Sequence, residues 1–243
     1  MAPRVLRHED ADELVEAAAR RLLAQLVELQ AGQETVHLCL TGGRIANQVY
    51  ERFAELVPDS GLDATRLHLW WGDERFVPTT DPERHSLQSL SVLARTLPVA
   101  SSQVHPMPSS DGKTDPDEAA FAYAEELGHT VFDICLLGMG TDGHVASLFA
   151  GHRAFEQPPS TAAAGVTDSP VPPAERITLT LPTVNRSQRV WLFVSGSEKA
   201  EATTLALAGE EALPAARVAG VRETLWFVDQ GSAGAIPTYR CSM

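Results

Sequence analysis

Four times in this chain a short, nearly unbroken apolar run ends at glycine and gives way to a polar or helix-like segment. Val36–Leu40 precedes Thr41-Gly42-Gly43. Leu67–Trp71 precedes Gly72-Asp73-Glu74-Arg75. Phe132–Leu137 precedes Gly138-Met139-Gly140, and Val190–Val194 precedes Ser195-Gly196. Apolar runs of this length without alternation are what strands covered on both faces look like, and such strands belong mainly to parallel sheets. Strands alternating with helical patterns predict an open α/β sheet. In such sheets ligands bind beyond the carboxyl ends of the strands. The four glycine-bearing turns are therefore expected along one edge.

The rest of the pattern supplies the helices. Leu14, Val15, Ala18, Leu22, Leu26 and Leu29 recur at helical spacing across residues 9–30, and Asp10 with Glu13 reads as a capping box. Further helices are expected over Glu83–Arg95, Asp115–Leu127 and Ser197–Leu207, and further strands over Arg176–Leu181 and Leu225–Val228. The Pro/Ala/Ser/Thr-rich stretch from Gln157 to Pro173 reads as a long surface loop, because too little chain follows it to build an independent domain. Residues 1–243 are read as one domain.

Charge narrows the class of partner. The 243 residues carry 19 Lys and Arg against 32 Asp and Glu, a net charge of −13. That field disfavours nucleic acid and anionic membrane surfaces, while leaving room for a local anion site. No stretch approaches the roughly 18 apolar residues of a membrane span. The N-terminus has no apolar signal core. Cys39 and Cys135 lie inside apolar runs, Cys241 is third from the end, and no Cys-x-x-Cys occurs. This pattern predicts reduced thiols, two of them core filler, in a cytoplasmic protein. Only Lys113 and Lys199 are lysines, a bias that genome composition alone would explain.

Gly138-Met-Gly140-Thr-Asp-Gly143 matches the dinucleotide fingerprint G-x-G-x-x-G. Its place past mid-chain argues against that reading, as does the lack of an acidic strand end about 20 residues on. The alternative is a glycine turn presenting Asp142 and His144 at the start of a short helix, Val145–Phe149. There Asp142 could serve as N-cap, and the helix N-terminus would favour a neutral imidazole that can act as a base. Asp73, Glu74 and Arg75 end one buried strand. Arg offers a fork suited to phosphate, and carboxylates can orient hydroxyls or water. Lys199 falls in a first helical turn, where a cation is unfavourable unless an anion is near. Thr41-Gly42-Gly43 forms another anion-friendly helix start, with Arg44 next. Together these segments fit a phosphorylated small molecule. His37 and His68 read as core or sheet-face residues. His8, His105, His129 and His152 carry no ligand spacing, and neither a zinc motif nor a serine-hydrolase elbow occurs.

On these residues the chain resembles the 6-phosphogluconolactonase family over nearly its whole length. The matching segments are Leu40-Thr-Gly-Gly43, Trp71-Gly-Asp-Glu-Arg-Phe-Val-Pro78, Phe132 through Phe149, Arg176-Ile-Thr-Leu-Thr-Leu-Pro182 and Ser195-Gly-Ser-Glu-Lys199. The resemblance implies a Rossmann-like parallel sheet sandwiched by helices, the fold shared with glucosamine-6-phosphate deaminases and ribose-5-phosphate isomerases. It implies cofactor-free hydrolysis of 6-phospho-D-glucono-1,5-lactone in the pentose phosphate pathway. His144 would be the general base, Arg75 and Lys199 would hold the phosphate, and Asp73 and Asp142 would bind sugar hydroxyls or orient the histidine. Gly42, Gly43, Arg44 and Gly143 complete the expected substrate contacts, with no metal, and with a monomer or weak homo-oligomer as the assembly.

The chain departs from the family pattern at three places. Arg44-Ile45-Ala46 follows the double glycine, His85 stands where asparagine is usual, and Gln188 with Arg189 stands near Asn185 where a lone arginine is usual. Two rivals remain. A glucosamine-6-phosphate deaminase shares the Gly-Asp-Gly-His turn, but Arg75 and Ala146-Ser-Leu-Phe149 favour the lactonase. Non-catalytic sugar-phosphate sensors usually carry a DNA-binding segment, and the residues before 36 read as a single helix, too short for a helix-turn-helix with its linker.

Overall fold

The computed structural model describes residues 2–113 and 115–234; Cys241 lies outside them. Ten strands are present among them: β1 (Arg4–His8), β2 (Val36–Leu40), β3 (Leu67–Trp71), β4 (Asp73–Arg75), β5 (Val104–His105), β6 (Ile134–Gly138), β7 (Ala163–Val166), β8 (Arg176–Leu179), β9 (Arg189–Val194) and β10 (Glu223–Asp229). The helices are α1 (Ala11–Gly32), α2 (Arg44–Leu56), α3 (His85–Leu93), α4 (Pro116–Leu127), α5 (Leu181–Asn185), α6 (Ala200–Leu207) and α7 (Gln230–Ala233), with short 3₁₀ turns between.

Seven strands form one sheet in the order β1-β10-β9-β6-β2-β3-β5. Every neighbouring pair is parallel. Successive side chains alternate between two cores, which explains the unbroken apolar runs. Leu38 and Leu40 of β2, with Ile134 and Leu136 of β6, pack under α1 and α2. Cys39, Cys135 and Leu137 face the other way, toward α4, α6 and the smaller sheet. Burial of each such aliphatic side chain contributes roughly 1.5–3 kcal/mol. Cys39 and Cys135 are buried free thiols in register on adjacent strands, and burial holds the Cys39 thiol well above its ordinary value.

The ends of α1 follow from local chemistry. The Asp10 carboxylate accepts from Glu13 N, while Glu13 accepts from Glu9 N, one residue before the reciprocal partner of a regular capping box. The second sheet, β4-β8-β7, is antiparallel and lies outside the expected pattern. It corrects the reading of Gln157–Pro173 as loop throughout. Residues 163–166 form a buried strand, because Ala163, Ala164 and Gly165 are small enough to pack against α4. A Cβ on Gly165 would lie 2.6 Å from Asp117 N.

Strand order places the site. From β2 the chain runs outward to β3 and β5, then returns across to β6, β9, β10 and finally pairs with β1. The order reverses between β2 and β6, and the loops that leave those two strands must diverge and open a crevice.

Candidate active site

A cleft of about 280 Å³ opens at that crevice. Its walls come from all four predicted strand ends: Thr41 to Ile45 after β2, Asp73 and Arg75 after β3, Gly138, Met139, Gly140 and His144 after β6, and Ser195, Glu198 and Lys199 after β9. Gly42, Gly43, Arg44, Asp73, Arg75, His144 and Lys199 all line it. Four cations (Arg44, Arg75, Arg176 and Lys199) face two carboxylates (Asp73 and Glu198), so the cleft is locally positive in an acidic chain.

His144 is presented differently from the expectation. Residues 145–149 form no helix. Gly143 N donates to Gly140 O at 3.1 Å and Gly140 N to His144 O at 2.9 Å, and Val145 bridges both Met139 and Leu148. The hydrogen-bonding needs of this segment are met by turn and bridge contacts, so no helix end acts on the imidazole. A carboxylate does so instead. His144 Nδ1 lies 2.5 Å from Asp142 Oδ1, and that hydrogen bond holds Asp142 below the usual carboxylate range. With Nδ1–H committed to Asp142, Nε2 is the nitrogen left to accept a proton. The ring packs against Phe149, with centroids 4.7 Å apart. It also lies over Gly140, where a Cβ would come within 2.1 Å of Cε1. Ala146 completes the turn at φ +50°, a left-handed conformation costly for a residue with a side chain, at the wall of the cleft.

Gly143 is corrected. It does not line the cleft; at φ +80° it packs against Leu213, and its carbonyl accepts from Ala215 N at 3.0 Å. Its glycine is needed for the turn. Asp142 likewise stands behind His144 and not in the wall.

The opposite wall is built for an anion. Gly43, at φ +104°, is the N-cap of α2 and supplies no side chain, so the first N–H groups of the helix remain open beside the cleft. Tyr50 locks the preceding turn by accepting from Thr41 N at 2.9 Å and donating to Thr41 O at 2.8 Å. Lys199 closes a 3₁₀ turn, Ser197–Lys199, and is the N-cap of α6. Burial pushes its amine below the ordinary value, Glu198 and Asp229 pull upward, and Arg44 adds to the lowering. Two cations that face each other without an ion pair are relieved by an anion between them. Asp229 holds this turn in place, accepting from Ser195 Oγ at 2.6 Å and from Gly196 N.

Behind the cleft lies a buried polar network. Asp73 accepts from Ser147 Oγ at 2.8 Å, and His85 Nδ1 is 3.5 Å from its Oδ1. Burial alone would raise Asp73. His85, the Ser147 hydrogen bond and Arg176 outweigh burial and hold the carboxyl well below its usual range. Glu74, by contrast, is not a cleft residue. It is fully buried and accepts from the N–H groups of Arg75, His85 and Ser86, so it caps α3 from the neighbouring strand. Arg75 donates through Nη1 to Glu83 O, and its Nε is buried without a partner.

Two lining residues escaped the sequence reading, although both lie in segments it singled out. Arg176 is 4% exposed; its guanidinium donates to the carbonyls of Val171, Pro172 and Pro173, and so pins that segment at the rim. His85 was noted only as a departure. Gln188 and Arg189, the third departure, sit at the amino end of β9, at the far end of the strand from Ser195. Among the described residues no group of His, Cys, Asp or Glu could hold a metal ion, and no helix is long and apolar enough to cross a membrane.

Known proteins resemble this chain in sequence and fold. Residues 9–226 match the family model described as glucosamine-6-phosphate isomerases/6-phosphogluconolactonase. A 6-phosphogluconolactonase of Streptomyces coelicolor is 41% identical over 97% of this chain and 95% of its own. One of Mycobacterium tuberculosis is 39% identical over 94% and 96%. The crystal structure of 6-phosphogluconolactonase from Thermotoga maritima superposes with a TM-score of 0.83 at 28% identity, covering 93% of this chain and 99% of that one. A monomeric glucosamine-6-phosphate deaminase shares the fold, with a TM-score of 0.79 at 22% identity over 95% and 99%. The glycine turns, the His144–Asp142 pair and the full-length likeness agree: this chain belongs to the glucosamine-6-phosphate isomerase/6-phosphogluconolactonase family.

Proposed function

We propose that the protein hydrolyses 6-phospho-D-glucono-1,5-lactone to 6-phospho-D-gluconate, the lactonase step of the pentose phosphate pathway. The observation that carries the reading is His144 in the wall of a cation-lined cleft, with Asp142 hydrogen-bonded to it from behind. The curated relatives' names support the same reaction. His144 Nε2 takes a proton from water as its oxygen attacks the lactone carbonyl carbon. The tetrahedral intermediate collapses, the bond from that carbon to the ring oxygen breaks, and the ring oxygen leaves protonated as a hydroxyl. Such general-base help contributes roughly 10²–10⁴ in rate. Asp142 keeps the imidazole in the useful tautomer and stabilises its charged form. Arg44, Lys199 and the open end of α2 bind the phosphate. Arg75 adds a further cation, and Asp73 faces the sugar hydroxyls. The residues act as one domain on a small phosphosugar lactone, without a cofactor. The buried free thiols Cys39 and Cys135 suit a reducing compartment, the cytoplasm.

The test is a fresh-lactone assay corrected for spontaneous hydrolysis, with glucosamine 6-phosphate as the competing substrate. The expected result is rapid hydrolysis of the lactone and no deamination. His144→Ala should remove most of the acceleration and keep binding of 6-phosphogluconate; wild-type kcat in that variant would refute the assignment. Lys199→Ala should raise KM for the phosphorylated lactone far more than for gluconolactone.

A further inference from the structure

His85 stands in the cleft wall with no role in the chemistry so far. It opens α3 and is 5% exposed. Glu74 fixes its backbone, accepting from His85 N at 2.7 Å. Its Nδ1 lies 3.2 Å from Asp73 O and 3.5 Å from Asp73 Oδ1. Its ring lies on Gly42, where a Cβ would fall 2.0 Å from Cδ2 and 2.2 Å from Nε2. Only a glycine at position 42 admits the imidazole here. With Nδ1 turned to Asp73, Nε2 is the remaining polar atom of a side chain that lines the cleft. An imidazole nitrogen that opens onto the cleft and has no protein partner is free to bond a molecule held there.

We propose that His85 is a substrate-binding residue whose Nε2–H donates to the phosphate of the bound ligand while Asp73 holds Nδ1–H. The proposal rests on the phosphorylated-lactone reading above. Gly42 leads directly into Gly43 and Arg44, where the N–H groups of α2 open, so Nε2 lies at the foot of the same anion cradle. The charge state agrees. Burial alone would lower His85, but Asp73 and then Glu74 raise it above its ordinary value, with Arg75 acting against them. The cleft is also lined by Arg44, Arg75, Arg176 and Lys199, which favour an anion beside His85, with Glu198 as the opposing carboxylate and His144 as the other imidazole. A protonated His85 thus neutralises Asp73 and leaves the cradle positive.

The test measures Kd for 6-phosphogluconate and for gluconate by calorimetry, from about pH 6 to about pH 9, for the wild type, His85→Asn and His85→Gln. In the wild type, affinity for 6-phosphogluconate should fall about tenfold as His85 loses its proton, the loss expected for one charge-assisted hydrogen bond. Both variants should bind about tenfold more weakly at the acid end and lack this fall, and gluconate should show no such limb in any of the three proteins. Circular dichroism checks each fold, and the glutamine variant carries the test if the asparagine variant does not fold. Wild-type pH dependence in a folded variant, or an equal loss for gluconate, would overturn the proposal. A wild type that lacks lactonase activity yet shows His85-dependent binding of 6-phosphogluconate would remove the reaction and keep the contact.

Discussion

His144 shows how a single residue can be found for one reason and work for another. The glycines around it marked it in the sequence, and it does line the cleft. The helix expected to tune it is replaced by a turn, and the tuning group is Asp142, two residues away. Asp142→Asn should therefore lower kcat by roughly 10- to 100-fold with little change in KM, because the base loses its orienting carboxylate but the phosphate cradle stays intact. Steady-state kinetics on fresh lactone would check it. Gly140→Ala should act on the same pair from the other side. The new methyl would overlap the imidazole, with Cε1 only 2.1 Å away, and displace it from Asp142. Activity should fall with little loss of thermal stability, as read by an assay beside a melting curve.

At the scale of elements, the strands that periodicity could not reveal are the ones whose strand character comes from a neighbour. β4 reads Asp-Glu-Arg, without an apolar residue, yet it pairs residue for residue with β8. β1 carries only Val5 and Leu6 as apolar positions and is a strand because the edge of β10 accepts it. β5 is two residues long. Glu74 ties such an element into the fold. Its carboxylate serves three backbone N–H groups and lies 3.6 Å from the buried Arg84. Glu74→Ala would leave these donors and a buried cation unpaired, so it should destabilise the protein by about 3–5 kcal/mol. Urea unfolding of the variant would measure it.

For the molecule as a whole, histidines at the two ends of the sheet pull stability in opposite directions with pH. His37 and His68 stand next to each other on β2 and β3, near the amino ends of their strands, with His105 stacked on His68 and on Trp70. Burial lowers both, and the neighbouring imidazoles lower them further. The unfolded chain therefore binds more protons than the folded one just below pH 6.5, and these two groups withdraw stability as pH falls through that window. His85 is raised, so its contribution is complete below 6.5 and is lost as pH rises through its folded value. The urea midpoint of the wild type should therefore drop on both sides of neutrality. His68→Gln should flatten the acid limb, and His85→Gln the alkaline one. An unchanged acid limb in His68→Gln would show that carboxylates alone drive it.

Local pattern sufficed for five of the seven strands of the central sheet (β2, β3, β6, β9 and β10), the helices that cover it and the strip of glycine turns. Each of these depends on residues a few positions apart: apolar runs for two-sided burial, helical spacing for one-sided burial, glycine where the backbone turns left. The α/β class followed from it, and Gly42, Gly43, Arg44, Asp73, Arg75, His144 and Lys199, which it marked, line one cleft. Three-dimensional packing was needed to decide which of the marked residues meet. It set Gly143 against Leu213 instead of the cleft, and left Gln188 and Arg189 at the wrong end of β9. It brought Arg176 and His85 into the wall. The physical reason is range. Spacing along the chain encodes which face of an element is buried, whereas convergence on a cleft depends on strand order and on side chains contributed from positions as far apart as Thr41 and Lys199.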